Sequence, residues 1–515
     1  MADRINSFPA SCTGGLINNL DYLTQGANLP GSALRMINYE PALEGGYRRI
    51  SGFSNDYGEV PGAADTPVLG VAVYSQLNNG IFACRQPSTG SNYFHYWDNT
   101  SSSWQTPSTT GSPTMSGVTK VRFAKLNWGV PKLVMTDGVN PVALWDGTTY
   151  SQITGGLVPS DPKFCEDFSN HLFLAGGTSN PNSVTFSAPL DETDFTPASG
   201  AGQINVGFEV KAIKSFRDQL YIFGTNAIKR LTGNNIADFA VSDVTKNLGC
   251  ISSDSVVEFN GDILFLSPDG IRPVSATDRI GDIELGTLSK PVQAIFETYS
   301  KNENLENITI LVLNRKSQFR LFFANTDSLG LIGSLRRTGE AGQGFEYSQL
   351  VGMEVSCGDS GYIGFEEFVI HGDSNGKVFR QEQGNTFNTE PIFSLYQTPY
   401  LYMDDPVVRK VYYDLTTYLR SEGQVRINVA VDYDYGSSDV SQPVDYSLDT
   451  QGAAAYWGAA TYDSTDTFDG NPSPVRKTNI EGSGDSVSIT YVTTEDQPSH
   501  TIQAFVVSYT LADRR

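Results

Sequence analysis

Little in this 515-residue chain points to metal or thiol chemistry. Its four histidines, His95, His171, His371 and His500, lie far apart with no HxxxH pair, and its five cysteines form no CxxC. That spacing argues against a zinc site, and no metal is expected. Cys12, Cys84, Cys165, Cys250 and Cys357 are scattered and odd in number. They read as reduced, mostly buried thiols of a chain made in a cytosol. No run approaches the roughly 18 apolar residues of a membrane span. The opening "MADRINSFPASCTGG" has no apolar leader core, so neither a membrane-spanning segment nor a signal peptide is expected. Basic residues are scarce as well: 35 Lys and Arg stand against 57 Asp and Glu, a net charge of −22. A chain so poor in cations lacks the basic footprint that grips phosphates. The acidity is spread, since residues 401–515 hold 17 acidic and 8 basic side chains and the remainder carries −13. There is no GxxxxGK[ST] and no GxGxxG opening a helix, so no nucleotide cofactor is expected.

What the sequence does have is the material of strands and turns: 50 Gly, 25 Tyr and 28 Phe, with 39% hydrophobic and 18% charged residues. "DILFLSPDGIRPVSA" (Asp262–Ala276) is an apolar strand, a Pro-Asp-Gly reversal and a return strand. Similar units begin near Leu133, Leu172, Leu220, Leu321 and Phe368, at steps of 39, 48, 43, 58 and 47 when Ile263 is included; "VAVYSQLNNGIFACRQ" (Val71–Gln86) precedes them. Such a period is that of four-stranded blades, which bury both faces only when packed between neighbours. The expectation is an all-β protein: a six- or seven-bladed β-propeller over 54–395, with inner-blade strands near 71–76, 132–136, 171–175, 219–223, 262–266, 319–323 and 367–371. Stacked β-sandwiches with coincidental spacing are the alternative. Helix signals are nearly absent; Lys290–Ser300, with Pro291 near its start, is the best candidate and fits an insertion behind the 58-residue step.

The two ends differ from the middle. Residues 1–53 have weak periodicity and read as an extended N-terminal arm, which must dock on its own chain or a neighbour. Residues 396–515 alternate cleanly: in "VRINVAVDYDYG", Ile427, Val429, Val431, Tyr433 and Tyr435 share one side. One wet face implies a C-terminal antiparallel β-sandwich-like module, with "VYYDLTTYLR" joined to that strand across the turn Ser421–Gln424 and long loops over Tyr435–Ser473.

No catalytic signature emerges. "CGDSGY" (Cys357–Tyr362) resembles a serine-protease nucleophile loop but has no base in context, and reads as a Gly-Asp-Ser turn. The Asp-rich loops "HGDSNGK" and "DSTDTFDG" (Asp463–Gly470) match no calcium-loop spacing. The enzyme alternative is a carbohydrate-cleaving or carbohydrate-binding propeller, with Asp137, Asp269 and Asp373 as carboxylates and Trp97, Trp104, Trp128 and Trp145 as stacking platforms. Turn chemistry and blade packing account for the same residues. The sharpest basic spots, Arg48 and Arg49 in "YRRISGF" and Arg409 and Lys410 in "VVRKVYY", are candidate docking residues for an acidic partner.

Three stretches carry a family likeness. "LPGSALRMINYEPALEGGYRRISGF" (Leu29–Phe53), "GCISSDSVVEFNGDILFLSPDGIRPVS" (Gly249–Ser275) and the ending built on "RKVYYDLTTYLRSEGQVRINVAVDYDYG" resemble the tail nozzle, or tail hub, proteins of short-tailed bacteriophages, also described as packaged-DNA stabilisation proteins. The resemblance implies a non-enzymatic virion protein, assembled in the host cytoplasm. It further implies a homohexameric tube below the portal and its adaptor ring, conducting genomic DNA without sequence-specific binding and offering lateral sites for fibres or spikes. The chain is shorter than the largest nozzles, which puts fibre docking in question. A monomeric adaptor propeller inside cells is a further alternative.

Overall fold

The computed structural model describes residues 5–77, 80–88, 93–110, 117–275, 287–302, 308–323, 329–337, 343–403, 405–450 and 474–512. The Asp463–Gly470 loop lies outside them. The chain is all-β, with several antiparallel sheets and two short α-helices among the described residues.

Seven sheets follow one another along the middle of the chain. The first holds Val68–Val73, Ile81–Arg85, Phe94–Asp98 and Ser103–Gln105; the second Arg122–Asn127, Pro131–Thr136, Ala143–Trp145 and Thr149–Gln152. The third holds Phe164–Phe168, His171–Ala175, Ser183–Phe186 and Gly202–Asn205; the fourth Ala212–Phe216, Gln219–Phe223, Ile228–Thr232 and Ala240–Thr245. The fifth has three strands, Val257–Phe259, Asp262–Ser267 and Gly270–Pro273. The sixth begins with Thr309–Leu313, Gln318–Phe322, Leu329–Arg337 and Gln343–Val351; the seventh with Cys357–Ile363, Glu366–Gly372 and Val378–Gln381. Within each, consecutive strands pair antiparallel.

The greasy runs expected as inner strands are, with one exception, the second strands of these sheets. His171–Ala175 and Gln318–Phe322 are buried throughout. A second strand has a neighbour on each edge and a packed sheet on each face, so every position favours an apolar side chain. The exception is 71–76, which begins on the first strand Val68–Val73; its second strand is Ile81–Arg85. Gly270, at φ 125°, lets the chain reverse after Pro268-Asp269, pairing Ser267 with Gly270. Cys357–Tyr362 is not the expected turn but most of a first strand.

Separate apolar layers fill the gaps between successive sheets. Phe82, Phe94 and Trp145 join the first and second; Leu144, Leu172 and Leu174 the second and third; Phe186 and Ile222 the third and fourth; Phe223 and Phe265 the fourth and fifth. Ile332 and Val369 join the sixth and seventh. The series returns on itself, because Val71 and Ala83 of the first sheet pack against Cys357 and Ile370 of the seventh. The expected helix appears as a 3-10 turn Lys290–Val292 running into an α-helix, Gln293–Asn302.

The chain's two ends are woven together. The arm supplies a helix, Tyr22–Asn28, capped by the Asp21 carboxylate accepting from Thr24 N at 2.8 Å. Its strand Asn6–Ser11 pairs with His500–Leu511, and the hairpin Tyr39–Pro41/Tyr47–Arg49 joins the same strand. Lys410–Ser421 sits between His500–Leu511 and Val475–Gly484. A nine-stranded sheet runs from the sixth sheet through Arg35–Ile37 and Ser394–Gln397 to Val487–Thr493, Arg426–Tyr433 and Tyr446–Asp449. Lys410–Ser421 and Arg426–Tyr433 therefore do not pair across Ser421–Gln424, as the sequence suggested; they belong to facing sheets. Facing lets Leu415 and Leu419 on one strand and Ile427, Val429 and Val431 on the other share one interior. Tyr435 leaves the apolar row because the strand ends at Tyr433 and Tyr435 itself takes φ 62°.

A partly buried ionic network anchors the arm. Glu40, 4% exposed at its side chain, meets Lys316 Nζ at 2.6 Å and Arg320 Nη2 at 3.6 Å, and accepts from Gln318 Nε2 at 3.1 Å. Lys316 and fully buried Arg320 also pair with Glu382, and Arg320 Nη1 donates to Gln381 at 2.8 Å. The arm strand Phe53–Ser54 then completes the seventh sheet by pairing with Gln381 and Arg380.

Candidate functional site

The first strands of all seven sheets converge on one cavity of about 930 Å³. Its wall includes Gly70 and Val71, Arg122–Lys125, Phe164–Asp167, Ala212–Ser215, Val257 and Glu258, Thr309–Val312, and Cys357–Ser360. Val68–Val73 and Thr309–Leu313 are buried throughout, whereas Arg122–Asn127, Phe164–Phe168, Ala212–Phe216 and Cys357–Ile363 also carry half-buried polar side chains.

Ion pairs tie non-adjacent sheets across this space. Arg122 donates to both oxygens of Asp254 at 2.7 and 3.1 Å, linking the second sheet to the turn before the fifth. Lys120 Nζ lies 3.4 Å from the same carboxylate and donates to Thr309 Oγ1 at 3.2 Å and Ser356 O at 2.8 Å, reaching the sixth and seventh. Burial opposes ionisation of Asp254, but Arg122 and Lys120 outweigh it and hold the carboxyl at about 2. Lys125 Nζ meets Asp359 at 2.7 Å, and Asp359 also accepts from Val73 N at 2.8 Å. Lys214 Nζ sits 3.0 Å from Glu166, whose charge raises the lysine's pKa. Glu166 further accepts from Ser215 N and Oγ. Asp167 differs: burial pushes its carboxyl up to about 6 although Trp128 Nε1 donates to it at 3.2 Å.

The cavity holds no activated nucleophile among the described residues. Two thiols reach its wall, and burial raises Cys165 to about 12 and Cys357 to about 11. All five cysteines are free and buried. The four histidines are buried and none lines the cavity. Among the described residues no group of three or more His, Cys, Asp or Glu is placed to hold a metal ion, and no helix is long and apolar enough to cross a membrane.

The carboxylates singled out in the sequence lie elsewhere. Asp137 accepts from Val139 N and Asn140 N, Asp373 from Asn375 N and Lys377 N, and Asp269 pairs with Arg272. Each stabilises its own turn, and none faces the cavity. Trp97 and Trp104 pack on each other and on Tyr57, and Trp145 on Phe94 and Tyr96. Trp128 hydrogen-bonds to a cavity residue, Asp167.

The four basic residues expected to dock a partner are not brought together. Arg48 pairs across from Thr501 and Lys410 from Leu511, opposite ends of one strand. Arg49, 1% exposed, donates to the carbonyls of Gln497 and Glu495, both at 2.8 Å, and of Ile392 at 3.2 Å. Lys410, 0% exposed, donates to Asp485 O at 3.0 Å. Both cations are spent on backbone carbonyls that the sheet ends leave unpaired, so neither offers a docking surface. Arg48 pairs with Glu422 and Glu40, while Arg409 is exposed and donates to Ser483. The cavity residues went unnoticed because "VRFAKLN" reads as an ordinary half-wet strand. Their signal was position: in the second, third, fourth, fifth and seventh sheets a strand with a charged residue lies just upstream of the apolar run.

No family model matches the chain, and no curated protein does. Solved structures overlap it loosely. The extracellular domain of the putative hybrid two component system BT4673 from B. thetaiotaomicron gives a TM-score of 0.40 at 12% identity, over 65% of this chain and 40% of that one. The chain thus spans less than half of that structure's length. The computationally designed Ika8 protein gives 0.35 at 10% identity, over 63% and 100%. Kluyveromyces lactis Hsv2p gives 0.31 at 12%, over 56% and 98%. Likeness at this level carries no functional argument.

Proposed function

We propose that the seven sheets are the blades of one β-propeller, and that the chain is a structural subunit of a short-tailed phage's tail nozzle. The return of packing from the seventh sheet to the first, around a shared cavity, supports the propeller reading. The observation that carries the nozzle reading is the weaving of the arm through the C-terminal strands and into the sixth and seventh sheets. A wall that must resist pressure from packaged DNA gains stiffness from such continuous pairing. In this reading six copies form a tube below the portal–adaptor ring of the virion, with fibres or spikes attached laterally. The DNA passage lies between copies, because ion pairs cross each subunit's own cavity. A net charge of −22 lets phosphates slide past without sticking. The subunit is not an enzyme. Electron microscopy of the purified protein incubated with portal–adaptor particles tests this: a six-fold ring is expected, and a stable monomer that never adds to the particles overturns it.

One observation favours a second reading, a carbohydrate-binding propeller. Trp128 and Asp167, whose carboxyl burial raises to about 6, together offer a ring face and hydrogen-bonding groups to a sugar. Retention on host polysaccharide that Trp128→Ala abolishes is its expected signature.

A further inference from the structure

We propose that copies of this chain meet head to tail, the outer edge of the fourth sheet of one copy seating on a tyrosine-centred acidic face of the next. This rests on the hexamer reading and names its interface.

The first surface lies in a locally basic stretch of an acidic chain. Residues 205–250 hold six Lys and Arg against four Asp and Glu, whereas the whole carries −22. Their outermost strand, Ala240–Thr245, has four consecutive exposed residues and two half-buried ones. Its free edge has no strand partner among the described residues. The second, sixth and seventh sheets, by contrast, have their outer edges extended by Ser108–Thr109, Arg35–Ile37 and Phe53–Ser54 of the same chain. Ile236 and Val241 are exposed here, flanked by Lys229 and by Lys246, the latter 75% exposed; the two lysines share the single carboxylate of Asp243, at 3.8 and 3.2 Å, which leaves a net positive charge. An apolar strip between cations suits an interface better than a solvated rim.

The second surface lies where the arm's helix meets the C-terminal strands. Tyr22 and Tyr435, 51% and 49% exposed, stand 5.7 Å apart, and both pack on Tyr400, Tyr435 at 4.3 Å and Tyr22 at 6.3 Å. Asp21 precedes Tyr22 and acts electrostatically on Tyr402, which bonds to Tyr435. Asp432 acts on Tyr400 and is itself held up by burial and by neighbouring Asp445. Exposed tyrosine rings edged by carboxylates attract lysine and arginine by both charge and quadrupole. Two acidic copies repel unless such a basic edge meets such an acidic face. Because the two surfaces are different, the contact is heterologous and propagates into a ring if the rotation closes.

Charge reversal on each side tests this with the full chain, read by mass photometry and by addition to portal–adaptor particles. Lys229→Glu with Lys246→Glu, or Asp432→Lys with Asp445→Lys, is expected to weaken association by at least about tenfold. Mixing the two reversed proteins is expected to restore contacts between unlike copies. Tyr435→Ala is expected to weaken association about tenfold with unchanged thermal melting. If the acidic-face reversal misfolds, the lysine pair on its exposed edge and Tyr435→Ala still decide. Wild-type rings that none of these changes weaken overturn the interface and leave the nozzle reading standing. Wild-type protein that never assembles overturns the nozzle reading, and the interface with it.

Discussion

Two groups of charges hold this molecule together, and they work in different surroundings. The network of Glu40, Lys316, Arg320 and Glu382 sits in the interior, with Arg320 wholly buried and Glu40 4% exposed at the side chain. The pairs of the central cavity keep 13 to 34% of their side chains exposed. In the first group Arg320 and Glu40 have been taken out of water, so their partners are indispensable, while Lys316 and Glu382 keep 31% and 23% exposed; in the second, every lysine and arginine keeps contact with water, which softens each loss. The difference shows how one fold uses ions both as a permanent anchor for its arm and as a polar lining for its middle.

Arg320→Ala should break the contrast most. It leaves Glu40 buried and Glu382 half-buried with too little positive charge, and a loss of about 3–5 kcal/mol is expected in denaturant titration. Acid comes next. Burial, reinforced by Arg320, lowers His371 from 6.5 to about 3, and burial with Arg49 and Arg48 does the same to His500. These folded-state values lie below the unfolded ones, so the unfolded chain takes up protons first. Stability is then full above pH 6.5 and declines as pH falls from there toward 3. Below about pH 4.5, the loss of Glu382, held low by Arg320 and Lys316 against its burial, adds to the decline. Melting temperature against pH should show this, and His371→Leu should flatten the slope between pH 6 and 4; an unchanged slope would remove the histidine from the explanation.

Asp254→Asn should cost less, about 1–3 kcal/mol, because Arg122 and Lys120 lose their shared carboxylate but stay within reach of water. Lys125→Met should change stability by no more than about 1 kcal/mol. Cavity variants that cost as much as Arg320→Ala would erase the distinction between the two groups.

How far the sequence could be read follows the same division. Second strands such as His171–Ala175 announced themselves because all their surroundings are apolar, and the Lys290–Ser300 helix and the five buried thiols were legible for similar local reasons. The cavity was not. Arg122 finds Asp254 132 residues away, and nothing local distinguishes that arginine from one pointing at solvent. Arg49 and Lys410 misled in the opposite sense: a basic pair in an acidic chain looked like a surface feature, yet both side chains close open sheet ends. Alternation identified the interior row of Arg426–Tyr433 but not its partner strand, since facing and side-by-side arrangements share one pattern.

The strand Phe53–Ser54 has a consequence for how the protein is made. It leaves the ribosome before the rest of the seventh sheet exists, yet it pairs into that sheet between Val378–Gln381 and Thr386–Phe387. The early segment must wait, unpaired, while the whole middle of the chain is synthesised and folded. Completion therefore belongs to the last moments of biogenesis, and long-range closure of this kind is slow. A nascent chain cut short before Val378 would leave Phe53–Ser54 without its partner strands.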